Sequence, residues 1–190
     1  SLLHYLRMIP TTAASRLRPG QKNGWLRQPD AYRWVYVDFQ DARMHQQELL
    51  LRHILNGLEL PVPEPCTLSN FLSAVSQQLV LPSIILMDEI ERAFRARGLE
   101  QDVFWESLRS LASNSSDGRL GLIVAGSDYP QNMHSQVKLS SSPFLNIFGH
   151  TIQLGPLTEA EARQLIGSSP KPFPLEDVEW ILAQSQGWPV

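Results

Sequence analysis

An apolar run that ends in two acids, Ile84-Ile85-Leu86-Met87-Asp88-Glu89, constrains the fold of this chain more than any other segment. A strand that is buried on both faces of a parallel sheet has such an unbroken run, whereas a half-exposed strand alternates. Where such a strand ends, its last side chains enter the crevice at the carboxyl edge of the sheet, where α/β proteins bind ligands. Two adjacent carboxylates repel each other, so a metal ion or a cationic partner is their natural compensation. The segment therefore predicts a buried strand that leads into a polar site.

A purely structural interpretation of the same two acids is also open. Acidic side chains are favoured at the start of a helix because they complement the helix dipole. The residues Ile90–Arg97 are predicted to be helical, and Asp88 and Glu89 would then simply begin this helix. Asp88 and Glu89 therefore either form part of a functional site or only begin the helix.

Length, charge and cysteine content limit the classes of protein to which the chain can belong. Its 190 residues suffice for one ordinary domain, or for one domain and part of another. The formal net charge of −3 gives no reason to expect nucleic acid or an anionic membrane as a partner. The longest apolar stretch, around Leu79–Met87, is interrupted by Pro82 and is too short to span a bilayer. The single cysteine, Cys66, cannot form an internal disulfide and is compatible with a cytoplasmic setting.

The pattern along the chain predicts strands that alternate with helices. Strands are predicted at Trp34–Phe39, Ser83–Met87, Leu120–Ala125 and, as a short last strand, Thr151–Leu154. Helices are predicted at Gln46–Leu58, from Thr67 or Ser69 to Leu79, at Ile90–Arg97 and at Asp102–Ser113. Alternation of this kind predicts an α/β fold with a parallel sheet covered by helices on both faces.

Beyond Pro156 the sequence is predicted to be helical. Thr158 and Glu161 have the spacing of a capping box, in which each residue binds the backbone N–H of the other at the start of a helix. A second helix is predicted at Leu175–Gln186, with Gly187 at its C-terminal stop. These two helices look like the start of a separate helical lid.

The order of these elements resembles that of P-loop ATPases of the AAA+/STAND group, especially the archaeal and bacterial STAND-type ATPases. In that group a P-loop helix is followed by a strand, the Walker B strand, the sensor 1 strand, a last sheet strand and a helical lid. The resemblance covers essentially the whole chain. It implies a P-loop NTPase core of the ASCE/AAA+-like kind at residues 1–156 and the beginning of a lid subdomain at residues 157–190.

Several short motifs carry this resemblance. Asp88 and Glu89 match the Walker B pair, and Ser127, just past an apolar strand, matches the polar sensor 1 position. Gly187-Trp188-Pro189 resembles the GxP motif that STAND lids place near the nucleotide. Two further runs look like the family's approach to its last strand and lid, namely Ser142–Phe148 and Ile152–Thr158.

The phosphate-binding loop of such ATPases is not found in this sequence, because no G-x-x-x-x-G-K-[ST] motif occurs in it. Ser1-Leu2-Leu3 looks like the residues that follow a Gly-Lys-Thr P-loop in the family. The expectation is therefore a core that begins just after this loop and lacks its first strand. A degenerate ATPase that has lost the loop is the alternative.

The resemblance implies roles for four residues. Glu89 would polarise the attacking water, and Asp88 would bind Mg²⁺ through water. Ser127 would hydrogen-bond either the γ-phosphate or the water; as an alternative, it is a turn residue after a strand. Pro189 would contact the adenine; as an alternative, it is a proline that follows a helix stop.

The implied cofactors are ATP and Mg²⁺, and the implied activity of the intact protein is Mg²⁺-dependent ATP hydrolysis. The first functional hypothesis is an ATP-dependent switch of a signalling or regulatory ATPase, with a protein partner or self-association through the ATPase domain. The second is a DNA-associated AAA+ protein of the origin-binding or transposition-helper kind. The third is an interaction scaffold that does not use nucleotide. A cytoplasmic location is expected, without a membrane partner.

The other basic and reactive side chains predict no site. Arg92, Arg95 and Arg97 form a basic patch, which is more commonly a solvated helix face than a DNA contact or an arginine finger. Cys66 lies in a proline-rich loop without an evident activator. The histidines show no metal-ligand spacing; they are His4, His45, His53, His134 and His150.

Overall fold

The computed structural model describes residues 2–17, 22–99, 102–127 and 144–188. Its helices and strands are, in chain order, α1 (Leu2–Met8), β1 (Arg33–Asp38), α2 (Gln47–Gly57), α3 (Leu68–Gln78), β2 (Ser83–Asp88), α4 (Ile90–Phe94), α5 (Asp102–Ser110), β3 (Leu120–Val124), α6 (Glu159–Gly167) and α7 (Leu175–Ser185). A π-helical turn, Leu111–Ser115, continues α5. The strands and helices predicted before residue 126 are confirmed, with boundaries that shift by a few residues. Within the described ranges, no helix is both long and apolar enough to cross a membrane.

The strands β1, β2 and β3 form a parallel sheet with β2 in the centre. Asp38 at the end of β1 is paired with Asp88 in β2, and Met87 is paired with Val124 in β3. Because the three strands run in the same direction, their carboxyl ends meet at one edge of the sheet. A mixed helix and strand architecture with a parallel sheet confirms the α/β class.

The two faces of the sheet are covered by different helices. On one face, alternate strand residues join the main hydrophobic core with residues of α2, α3 and α5; these are Val35, Val37, Ile85 and Met87. On the opposite face α1 packs against β1 and β2, and the ring of His4 contacts Tyr36 edge-on with 5.7 Å between ring centroids. Leu86 lies between Ile85 and Met87 in β2, so its side chain points to this second face, where it is also fully buried. Burial from both sides explains the unbroken apolar sequence of β2.

Trp105 is the largest of the fully buried side chains. Its indole N–H donates a hydrogen bond of 2.7 Å to the carbonyl oxygen of Leu99. The rings of Phe94, Phe104 and Phe144 lie around it, with centroid distances of 4.8, 5.0 and 5.0 Å. The indole therefore fills the core with its polar atom satisfied, and it fixes α5 beside α4.

The described residues divide into two compact units: a sheet unit within residues 2–14 and 22–148, and a helical unit that contains residues 15–17 and 149–188. In the helical unit, α6 begins with the predicted capping box, which is confirmed. The Thr158 hydroxyl accepts from the N–H of Glu161 at 3.3 Å, and the Glu161 carboxylate accepts from the N–H of Thr158 at 2.8 Å. Arg163 of α6 pairs with Glu179 of α7 at 2.8 Å. The division into a core of residues 1–156 and a lid of residues 157–190 stays a prediction.

The predicted last strand, Thr151–Leu154, is wrong. This segment is not a strand, and the side chains of Ile152 and Leu154 are 81% and 60% exposed. A strand needs a neighbouring strand to satisfy its backbone N–H and C=O groups. The segment belongs to the helical unit, whose described residues include no strand with which it can pair. An alternating apolar pattern does not form a strand without such a partner.

Replacing Trp105 with Phe is expected to lower the free energy of unfolding by about 2–3 kcal/mol, because it leaves a cavity and deprives the Leu99 carbonyl of its donor. Urea unfolding followed by circular dichroism measures the change. Trp180→Phe is the matched control: Trp180 is 65% exposed, and the same substitution there should change the free energy by less than about 0.5 kcal/mol. Equal effects at the two positions would contradict the role of Trp105 in the core.

Candidate functional site

The candidate functional site lies at the carboxyl edge of the sheet. Asp88 is the last residue of β2, and Glu89 joins β2 to α4. Asp38 ends the neighbouring strand β1, and Ser127 lies just beyond the end of β3. The parallel sheet thus places three of the residues predicted from the sequence, Asp88, Glu89 and Ser127, at the ends of adjacent strands.

Two hydrogen-bond donors hold the carboxylate of Asp88. The hydroxyl of Tyr36 on β1 donates to Oδ2 at 2.8 Å, and the backbone N–H of Glu89 donates to Oδ1 at 3.2 Å. Each carboxylate oxygen has more than one lone pair. Asp88 is therefore fixed in orientation and retains the capacity to accept a hydrogen bond from a metal-bound water.

The backbone of Glu89 is in the left-handed region, with φ 56° and ψ 44°. For a residue with a side chain this conformation costs about 1–2 kcal/mol. Hydrogen bonds on both sides enforce it: the N–H of Phe39 donates to the carbonyl of Asp88, and the N–H of Ile90 donates to the carbonyl of Ala125, both at 3.1 Å. The neighbouring strands therefore impose the strain, and they do so at the residue predicted to be catalytic.

The side chain of Glu89 does not cap the helix that follows it. Its Oε2 accepts a hydrogen bond from Nε of Arg92, one helical turn away, at 3.2 Å. The side chains of Glu89 and Arg92 are 34% and 53% exposed, and a helix pair of this kind contributes about 0.2–0.5 kcal/mol. The carboxylate is accessible and weakly held, which argues against helix initiation as its sole role.

Ser127 is joined to α4 through Glu91. The Ser127 hydroxyl donates to Oε1 of Glu91 at 2.6 Å, and the backbone N–H of Ser127 donates to the same oxygen at 3.3 Å. The other oxygen of Glu91, Oε2, is buried and has no hydrogen-bond partner within the part of the chain that the structure describes. Glu91 thus connects the residue after β3 to the helix after β2.

Tyr36, Asp38 and Glu91 were not predicted as site residues. Asp38 carried a usable signal, because it ends an apolar strand in the same way as Asp88, and parallel strands end at one edge. Tyr36 and Glu91 carry no comparable local signal. Their contacts join positions that are far apart in the sequence, so spacing along the chain does not reveal them.

The carboxylates suit a magnesium ion bound through water. Within residues 2–17, 22–99, 102–127 and 144–188, no group of three or more His, Cys, Asp and Glu side chains is arranged to hold a metal ion. Mg²⁺ usually keeps several water ligands in proteins and uses one or two carboxylates. Asp88, whose orientation is fixed, fits this type of contact, and its assignment to Mg²⁺ stays a prediction. Pro189 lies outside the described residues, so its contact with adenine also stays a prediction.

Reactive and basic groups elsewhere in the described chain have ordinary structural environments. Cys66 is buried, and burial raises the pKa of its thiol, which is therefore weakly nucleophilic at neutral pH. A ring nitrogen of His45 lies 2.8 Å from the carbonyl oxygen of Phe39. The basic patch is exposed, as a solvated helix face would be; it consists of Arg92, Arg95 and Arg97.

Replacing Glu89 with Gly is expected to raise the free energy of unfolding by about 0.5–1 kcal/mol, because glycine adopts a positive φ without strain. Glu89→Gln keeps the strained backbone and loses only the charge pair with Arg92, so it should lower the free energy of unfolding by no more than about 0.5 kcal/mol. Urea unfolding of the two variants measures the difference. Asp117→Gly is the matched control, since Asp117 has φ 50° and lies outside the site. A loss of stability in Glu89→Gly alone would mean that side-chain contacts of Glu89 outweigh the backbone strain.

Comparisons of the chain with protein-family models, with curated proteins and with solved structures give no match. Its function must therefore be inferred from the residues at the carboxyl edge of the sheet and from their geometry.

Proposed function

We propose that this chain forms the hydrolytic part of an ATP-dependent switch domain of the STAND/AAA+ type, which hydrolyses ATP with Mg²⁺. The observation that supports this most is the position of Asp88, Glu89 and Ser127 at the carboxyl ends of two adjacent strands of one parallel sheet. In α/β proteins this edge is where ligands bind. The strained backbone of Glu89 is of the kind that clusters at functional sites.

The sequence of elements in the sheet unit supports the same proposal. In the ATPases that the sequence resembles, the P-loop helix, the next strand, the Walker B strand and the sensor 1 strand follow one another along the chain. Here α1 is followed by β1, β2 and β3 in the same order. The acid pair ends β2, and Ser127 follows β3. The three strands are also neighbours in the sheet, so the corresponding side chains share one edge.

Hydrolysis would be organised around the carboxylate of Glu89, which accepts a proton from a water molecule. The oxygen of that water forms a bond to the γ-phosphorus, the bond from this phosphorus to the bridging oxygen breaks, and the electron pair leaves with ADP. When bound, Mg²⁺ supplies charge neutralisation at the phosphates. Asp88 would hold it through a water molecule, with its carboxylate oriented by Tyr36.

Two alternative functions are supported less well by the same residues. A DNA-associated AAA+ ATPase would share the acid pair, but the basic patch offers little to DNA, since Arg92 is paired with Glu89 and the formal net charge is −3. A scaffold that does not use nucleotide would have no need of a strained, accessible glutamate after the central strand. The 190 residues contain no Gly-rich phosphate-binding loop, so phosphate binding is not assigned to any of them.

Glu89→Gln is expected to lower Mg²⁺-dependent ATP turnover by about 10²–10⁴-fold while ATP still binds, because an amide does not accept the proton of the water. Steady-state phosphate release and equilibrium ATP binding test this in the protein as its gene encodes it. Glu106→Gln is the matched control, since Glu106 is an exposed glutamate on α5 and its loss should leave turnover unchanged.

A wild-type protein that neither binds nor hydrolyses ATP would remove the ATPase proposal and would favour the scaffold. Equal turnover in the wild type and in Glu89→Gln would show that ATP hydrolysis does not require Glu89.

A further inference from the structure

We propose that Glu91 is a positioning residue. It accepts the hydrogen bond of the Ser127 hydroxyl, so that the oxygen of Ser127 is left to accept a hydrogen bond from the attacking water. This inference rests on the proposed function, because it concerns the arrangement of the attacking water. It goes beyond the acid pair, since Glu91 itself would contact neither ATP nor the water.

The direction of the Ser127 hydrogen bond follows from the backbone. A backbone N–H can only donate, and that of Ser127 points to Oε1 of Glu91 at 3.3 Å. Oε1 is therefore an acceptor, and the hydroxyl that lies 2.6 Å from the same oxygen must supply its own hydrogen. The short distance is typical of an O–H group that donates to a carboxylate.

The chemical consequence is that Ser127, while it makes this hydrogen bond, does not donate to a phosphate. A hydroxyl has one hydrogen and two lone pairs, and here the hydrogen is used by Glu91. Phosphate oxygens accept hydrogen bonds, whereas water both donates and accepts. Ser127 thus keeps an acceptor for water. A water that donates one hydrogen to Glu89 and the other to Ser127 has a lone pair free to attack phosphorus.

Glu91 is tied to both sides of the site. It lies in the first turn of α4, whose first residue, Ile90, donates its N–H to the carbonyl of Ala125 at 3.1 Å. The N–H of Ala125 in turn donates to the carbonyl of Met87 at 2.8 Å. The segment that carries Ser127 and the helix that carries Glu91 therefore have fixed relative positions.

Four variants of the protein as its gene encodes it test the inference: Ser127→Ala, Glu91→Ala, the double variant, and Glu91→Gln. The measurements are kcat with MgATP and the ratio of the dissociation constants for ATP and ADP. Ser127→Ala is expected to lower kcat about 10²-fold, because the water loses one of the two groups that orient it. The ATP to ADP ratio should change by less than about twofold, since no hydrogen bond to the γ-phosphate is lost.

The Glu91 variants show whether Glu91 acts through Ser127. Glu91→Ala should lower kcat as much as Ser127→Ala, and the double variant should be no slower than either single variant, because the two residues act as a unit. Glu91→Gln keeps an oxygen acceptor for both donors of Ser127 and should restore most of kcat. Circular dichroism of each variant verifies folding, and Ser127→Ala decides the direction of the hydrogen bond even if Glu91→Ala does not fold.

Four results would overturn the inference. The first is an affinity for ATP, relative to ADP, that falls about tenfold or more in Ser127→Ala, which would identify Ser127 as a donor to the γ-phosphate. The second is a double variant whose kcat is reduced by the product of the two single reductions. The third is normal turnover in Glu91→Ala although Glu89→Gln is inactive; this rejects the role of Glu91 and leaves the ATPase proposal intact. The fourth is a wild-type protein without turnover, which rejects both the inference and the ATPase proposal.

Discussion

Hydrogen bonding of β2 to a strand on each side is the constraint on which the rest of the sheet unit depends. Because β1 and β3 satisfy its backbone and helices cover both its faces, β2 is built from aliphatic side chains. Even its polar first residue is satisfied, since the N–H of Ser83 donates to the carbonyl of Arg119 at 2.7 Å and its hydroxyl donates to the carbonyl of Leu81 at 2.9 Å. The same pairing fixes where β2 ends, and so where Asp88 and Glu89 emerge.

One residue, Glu89, joins β2 to α4, and its residue type is unusual for its backbone conformation. A left-handed position favours glycine or asparagine, whereas here it is occupied by glutamate. Glu59 and Asp117 in the sheet unit also have a positive φ, but both lie in turns away from the carboxyl edge of the sheet. Glu89 combines this strain with a position at the carboxyl edge of the sheet, where α/β proteins bind ligands, and that combination is typical of a residue retained for function.

The parts of the structure that local chemistry determines were predictable from the sequence. The apolar run predicted β2, and the capping box predicted the start of α6, because each depends on neighbours within a few residues. The strand predicted at Thr151–Leu154 failed because a strand depends on a partner that the local sequence does not reveal. The candidate site divides in the same way. The acid pair could be read from its position after β2, whereas the bonds from Tyr36 to Asp88 and from Ser127 to Glu91 exist only after distant segments have paired.

The packing of Trp105 provides an optical probe of the helix that follows Glu89. Its ring contacts Phe94, the last residue of α4, with 4.8 Å between ring centroids. Trp105 is fully buried and Trp34 is half-buried, whereas Trp25, Trp180 and Trp188 are exposed. Indole emission shifts to shorter wavelength when the ring leaves water, so we expect Trp105 to contribute most to the blue edge of the tryptophan fluorescence, with Trp34 next. A displacement of α4 therefore changes that part of the emission without any added label, and the chain carries its own signal for motion next to the acid pair.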